Sequence, residues 1–291
     1  MDIGLFTPLV GPAADARYVA TLGRMVEERG YTSVWLGEHV VLFDDYRSRY
    51  PYTDDGKMPA VGPTDGLLEP VTTLAYLAAV TTALRLGTGL VILPQRHPVV
   101  LAKELSNVDW LSGGRLRVGV GLGWQREEYE ALMVPWEGRG VRTDEYIEVL
   151  RRLWVDDVSA FSGATYELPP SRLFPKPVQR PHPPIVIGGD SDAALRRVAA
   201  HGDGWYAFAM SPEQLAPRLA VLDRYLAEAG RRRDELLVVL CPYMRRTSRD
   251  DLDAYQQLGV DELVHTCFAA DVDGLQRRLD VLDRHGLAPA P

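Results

Sequence analysis

Three glycines at alternate positions, Gly119, Gly121 and Gly123 in the run RVGVGLGW, raise a question of chemistry. Such a run keeps one face of an extended segment free of side chains, so a flat ligand or another backbone can approach it closely. A crowded barrel interior would need the same small residues. The G-x-G-x-G spacing is not the G-x-G-x-x-G that turns from a strand into a helix beneath a dinucleotide. A second candidate is Glu38-His39, at the end of the strand-like run SVWLGE. Histidine titrates near neutral pH and can exchange protons with a substrate, although a structural role is the ordinary alternative. Of the other five histidines, only His265 ends a strand-like run, where it could line the same site; His97, His182, His201 and His285 lie in proline-flanked loops, at a helix end or near the C-terminus.

A third candidate is IGGDSDAAL, residues 187–195, which turns through Gly188-Gly189 into a helix capped by Asp190 or Ser191. Backbone N–H groups at such a turn suit an anion, most often a phosphate, but a plain strand-to-helix turn would use the same residues. The sequence holds no H-E-x-x-H, C-x-x-C or H-x-H spacing and no G-x-S-x-G elbow, so neither a metal centre nor a serine nucleophile is indicated.

The elements that must position these residues alternate along the chain. Strand-like runs are expected at 2–6, 33–38, 84–92, 116–120, 184–189, 204–209, 236–241 and 261–266. Helical spacing is expected at 15–29, 71–82, 99–111, 126–133, 143–155, 192–201, 212–229, 250–258 and 271–285. Eight strands, each followed by a helix, with no break in composition, predict a single (β/α)8 TIM barrel over residues 1–291. Two connections are unusually long. Residues 40–68 follow the second strand, where barrel enzymes place their active sites, and read as a substrate-side lid or as a disordered segment. Residues 156–184 precede the fifth strand, with five prolines between 169 and 181.

With 46% hydrophobic and 25% charged residues, the 291-residue chain has the composition of an ordinary globular protein. Its net charge of −8 argues against a nucleic-acid partner. Two cysteines make no disulfide framework, the N-terminus lacks the features of a signal peptide, and no apolar run approaches a membrane span. A cytoplasmic protein is expected.

In their order and spacing, four stretches resemble the bacterial luciferase-like monooxygenase superfamily, and within it the deazaflavin-dependent oxidoreductases that use coenzyme F-420. They are SVWLGEHV, LRLGTGLVILPQRHPVVLAKELSNVDWLSGGRLRVGVGLGW, REEYEALMVPWEGRGVRTDEYIEVLRRLW and PPIVIGGDSDAALRRVAAHGDGW, spanning most of residues 33–205. The resemblance implies a deazaflavin ring in the barrel mouth, with Gly119, Gly121 and Gly123 leaving room for it. It implies a cis peptide at Gly89–Leu90 behind the ring. His39 and Glu38 match the active-site pair after the second strand, Trp124 and Glu127 fall beside the cofactor, and Gly188, Gly189 and Ser191 match the segment that holds its phosphate. The activity implied is hydride transfer between the cofactor's C5 and a small organic substrate. An FMN-dependent monooxygenase and a non-catalytic flavin-binding protein are the alternatives within the superfamily. Tyr46, Tyr50, Tyr52, Arg47 and Arg49 of the long connection suit an aromatic substrate, an anionic substrate or a solvated surface equally well. A homodimer is expected, joined through the helices after the second and third strands.

Overall fold

A computed structural model describes residues 1–59 and 61–289. The chain opens with β1 (Asp2–Phe6), α1 (Ala16–Glu28), β2 (Ser33–Leu36), α2 (Pro70–Val80), β3 (Arg85–Thr88) and β4 (Val91–Ile92). It continues with α3 (Pro98–Ser112), β5 (Leu116–Gly121), α4 (Arg126–Ala131), α5 (Arg139–Val155), β6 (Ser159–Ser162) and β7 (Glu167–Ser171). The last part runs through β8 (Ile185–Gly188), α6 (Asp192–His201), β9 (Gly204–Phe208), α7 (Pro212–Glu228), β10 (Leu237–Cys241), α8 (Arg249–Gln257), β11 (Glu262–Thr266) and α9 (Val272–Arg284). Eight parallel strands follow one another in the order β3-β2-β1-β11-β10-β9-β8-β5, and β3 pairs with β5 to close the ring. This is the expected (β/α)8 barrel.

Local chemistry sets the element ends. Asp15 accepts a hydrogen bond from Tyr18 N at 3.0 Å to start α1, and Tyr18, Val19, Leu22 and Val26 of that helix turn inward at helical spacing. Ser211 and Gln214 form a capping box at α7. Gly113, at φ +68°, ends α3 in the left-handed conformation that glycine adopts without cost. The strands are buried on both faces, which explains their continuous apolar runs.

The N-terminal end of the barrel is plugged. Glu262, fully buried, accepts hydrogen bonds from Ser33, from Arg117 and, at 3.1 Å, from Trp35 Nε1. Gly87 is required beside it, because a Cβ there would overlap the Trp35 ring. Any ligand must therefore enter at the C-terminal ends of the strands. Among the described residues, no helix is long and apolar enough to cross a membrane.

Three elements depart from the sequence reading. The run 84–92 is not one strand: β3 ends at Thr88, the Gly89–Leu90 peptide is cis, and β4 resumes to pair Val91 with Val120 and Ile92 with Gly121. The connection 156–184 contains an antiparallel hairpin, β6–β7, whose Pro169 and Pro170 are tolerated because β7 has a partner on one side only. Finally, α5 starts at Arg139, four residues before the expected Thr143.

Candidate active site

A cavity of about 620 Å³ opens at the C-terminal mouth of the barrel, within the range of small-molecule sites. Its wall includes Glu38, His39, Gly89, Leu90, Gly121, Gly123, Trp124, Gly188, Gly189 and Ser191. The structure thus brings most of the expected site residues together; Glu127, Gly119 and His265 are absent from that wall.

His39 sits just past β2. Its Nδ1 lies 3.3 Å from Oε2 of Glu128, a fully buried carboxylate that also accepts the Val40 N–H at 2.5 Å. On the other side of the ring, Trp124 Nε1 donates to His39 Nε2 at 3.4 Å. An acceptor on one nitrogen and a donor on the other select one neutral tautomer, with the proton on Nδ1. The Nε2 lone pair is left in a long, weak bond that a better donor can displace.

Glu38 plays a different part from the one expected. One carboxylate oxygen accepts the Ile92 N–H and the other accepts Arg96 Nε at 2.7 Å, while Arg96 also donates to Glu69 at 2.6 Å. Burial opposes the Arg96 charge, yet Glu38 and Glu69 together raise its pKa. With both oxygens taken, Glu38 fixes the backbone of β4 against the end of β2. Glu127 likewise grips backbone: its Oε1 accepts the N–H groups of Arg47 at 2.7 Å and Ser48 at 3.2 Å. Although burial raises it, hydrogen bonds from Ser48 and from these N–H groups hold its pKa down at about 2. It anchors the long connection, which in turn brings Tyr50, Tyr52 and Leu67 onto the cavity wall. His265 points elsewhere. It is buried against the outer layer, its Nε2 3.0 Å from the Leu287 carbonyl, and burial pushes its pKa down to about 4.

The alternate glycines make room first for the chain itself. A Cβ on Gly119 would strike the Thr88 carbonyl, and a Cβ on Gly121 or Gly188 would meet the Leu90 side chain. What the stripe accommodates first is the protein's own β3–β4 break. Leu90 then lines the cavity, its side chain packed against the bare backbone of Gly121 and Gly188.

At one corner of the cavity two helices begin. Gly189, at φ +99°, leads into α6, where Ser191 accepts the Ala194 N–H at 3.2 Å. Gly138, Arg139 and Gly140 start α5, whose N-cap has no side-chain acceptor. Arg139 stacks on Trp136 with its buried Nε unpartnered, while Arg197 is held by Asp144. Uncapped N–H groups, a helix dipole and an orphaned guanidinium nitrogen form a corner suited to a phosphate. The site therefore fits a flat cofactor with an anionic tail: a bare floor for the ring and a cationic corner for the tail.

Sequence reasoning missed Arg139 because the helix start was placed four residues late. It missed Glu128 because successive helical residues point about 100° apart. Nothing in the pattern said which of Glu127 and Glu128 faced His39.

Comparison with known proteins agrees with this geometry. A protein of unassigned function from Mycobacterium tuberculosis (strain ATCC 25618 / H37Rv) is 36% identical over 219 residues, 75% of this chain and 74% of that one. The FMNH2-dependent dimethylsulfone monooxygenase of Pseudomonas putida is 37% identical over 145 residues, 49% of this chain and 39% of that one. The solved F420-dependent secondary alcohol dehydrogenase, bound to an F420–acetone adduct, superposes with a TM-score of 0.73 at 16% identity, covering 98% of this chain and 97% of that one. At that identity it shows the shared fold. The family model of luciferase-like monooxygenases matches residues 1–286, so this chain belongs to that family of oxidoreductases and monooxygenases.

Proposed function

We propose that the protein is a cytoplasmic, deazaflavin-dependent oxidoreductase that uses coenzyme F-420 to oxidise or reduce a small organic substrate. The observation that carries this reading is His39 on the cavity wall, with the buried Glu128 carboxylate behind its Nδ1. When bound, the deazaflavin supplies a two-electron hydride acceptor or donor. Gly121, Leu90 and Trp124 would bound its ring, and Gly188, Gly189, Ser191 and Arg139 would hold its phosphate.

The chain itself supplies proton exchange. A substrate carbon that loses hydride leaves an adjacent oxygen that must lose a proton, and His39 Nε2 is the acceptor. In the reducing direction the protonated imidazole returns it. Glu128 is the positioning residue: its carboxylate takes the Nδ1 proton's hydrogen bond and stabilises the imidazolium when Nε2 is protonated. Glu38 acts through the backbone, by holding Ile92 and Arg96.

The second reading is an FMN-dependent monooxygenase, favoured by the 37% identity with the FMNH2-dependent enzyme. The two readings share a cavity and differ in the redox partner.

Two substitutions test the assignment. Gly189→Leu places a side chain at φ +99° in the anion corner and should weaken cofactor binding by more than tenfold. His39→Asn should spare cofactor affinity while lowering turnover by about a hundredfold, the scale of a general acid–base contribution. Full turnover in a folded His39→Asn protein would remove the histidine from the chemistry.

A further inference from the structure

We infer that the substrate of this site is an uncharged, planar, predominantly aromatic molecule, held against a wall built from Tyr52, Phe208 and Tyr243. This rests on the reading of the cavity as the site of a redox reaction.

The wall is built from separate parts of the chain. Phe208 ends β9, Tyr243 follows β10, and Tyr50 and Tyr52 come from the long connection after β2. Their rings touch: Phe208 and Tyr243 lie 4.6 Å apart between centroids, Tyr52 and Phe208 4.7 Å, and Tyr50 and Tyr52 5.3 Å. Tyr50 continues the wall to Trp124 at 5.3 Å, and Trp124 reaches His39. Phe208 and Tyr243 are tilted by 37° and the other pairs meet edge to face, arrangements that a further aromatic ring can join.

The backbone is bent to achieve this. Tyr243 has φ +58° and Ala209, beside Phe208, has φ +57°, conformations uncommon outside glycine. Such residues persist only where their surroundings hold them, and they cluster at functional sites. Here the two follow neighbouring strand ends, tied by the Ala209 N–H to the Cys241 carbonyl at 2.8 Å.

Charge decides between the aromatic and anionic substrates left open by the sequence. The connection's arginines turn away: Arg47 and Arg49 are exposed and absent from the cavity wall, and Arg49 donates to the Asp54 carbonyl at 3.0 Å. Among the described residues, the cavity's formally charged side chains are Glu38, Arg139 and Arg197. Glu38 is neutralised by Arg96, and the two arginines belong to the helix-terminus corner, Arg197 being paired with Asp144. Burial pushes the pKa values of Tyr50 and Tyr243 upward, so these phenols stay neutral. A carboxylate against this wall would lose its water and gain no cation.

The test is equilibrium binding to the intact protein, measured by titration calorimetry with 2-acetylnaphthalene, its anionic analogue 2-naphthoate and the saturated 2-acetyldecalin. The neutral aromatic ketone should bind at least tenfold more tightly than either. Tyr52→Ala should weaken it fivefold or more, and Tyr52→Phe should restore it. Tyr52 is a partly exposed residue of the connection, so its removal leaves the barrel intact. Equal or tighter binding of 2-naphthoate, or a Tyr52→Ala protein with unchanged affinity, overturns the inference. A parallel cofactor titration separates the two ideas. If cofactor binds and the ketone preference is absent, the substrate class is wrong. If the ketone preference holds and no cofactor binds, it is the redox reading that fails.

Discussion

Replacing Glu128 with glutamine tests the proton pathway without any substrate. In the native protein the buried carboxylate accepts from His39 Nδ1 at 3.3 Å while Trp124 donates to Nε2 at 3.4 Å, so both neighbours favour the same tautomer. Glutamine keeps the size and can still accept the Val40 N–H, but it loses the charge and can present an N–H to the imidazole. A hydrogen bond to a buried charged group contributes about 1.5–3 kcal/mol. At about 1.4 kcal/mol per factor of ten, losing the charged acceptor shifts the tautomer balance by roughly ten- to a hundredfold. Histidine side-chain 15N spectra of uniformly labelled protein read that balance directly, with His39→Asn assigning the resonance. The native protein should show the proton on Nδ1, and Glu128→Gln should show a mixture or the Nε2–H form. A native ring protonated on Nε2, or a tautomer unmoved by the substitution, would refute the positioning role of Glu128. Turnover should fall with the tautomer shift, by tenfold or more, while cofactor affinity is kept.

Other outcomes follow from the same geometry. Gly119→Ala drives a Cβ into the Thr88 carbonyl and should destabilise the fold by about 1–3 kcal/mol in urea titration. Gly188→Ala meets only the movable end of Leu90, so it should spare stability but push Leu90 into the cavity and weaken cofactor binding several-fold in a fluorescence titration. His265 should make the fold acid-sensitive. Burial lowers its pKa from 6.5 to about 4, so between those values the unfolded chain holds the proton and the native chain does not. At about 1.4 kcal/mol per pH unit its contribution costs about 3 kcal/mol of stability between pH 6.5 and 4, a loss that His265→Gln should abolish in pH-dependent unfolding. The proposed homodimer would cover the exposed Tyr76 of α2 and Val100, Trp110 and Leu111 of α3, and light scattering should give about twice the 32.3 kDa chain mass. A monomeric mass at micromolar concentration would remove the dimer.

The barrel was readable in the sequence because its eight parallel strands are short apolar runs, each followed by a helix with an inward-facing apolar stripe, several of them opened by a capping Asp or Ser. The site was partly readable for the same reason: residues at strand ends, such as His39, Gly188 and Gly189, must meet at one mouth of a barrel. Long-range partners were not readable. Glu38 has the spacing of an active-site acid, but only the fold brings Arg96 and the Ile92 N–H onto its two oxygens. The glycine stripe looked like a ring-binding surface, yet Gly119 and Gly121 face Thr88 and Leu90, set there by a break inside an apparently continuous strand, and Gly123 faces Ile92. Tyr and Arg are interspersed over residues 46–52 with no local sign of direction, and the fold brings Tyr50 and Tyr52 to the cavity while Arg47 and Arg49 stay exposed.

The central claim is that this cavity takes a deazaflavin and uses it for hydride transfer. Its most direct measurement is a pair of fluorescence-quenching titrations of the purified protein, one with coenzyme F-420 and one with FMN. Coenzyme F-420 should bind saturably, at least tenfold tighter than FMN, and Gly189→Leu should weaken that binding more than tenfold. Tighter binding of FMN, itself sensitive to Gly189→Leu, would contradict it and leave the flavin monooxygenase reading in its place.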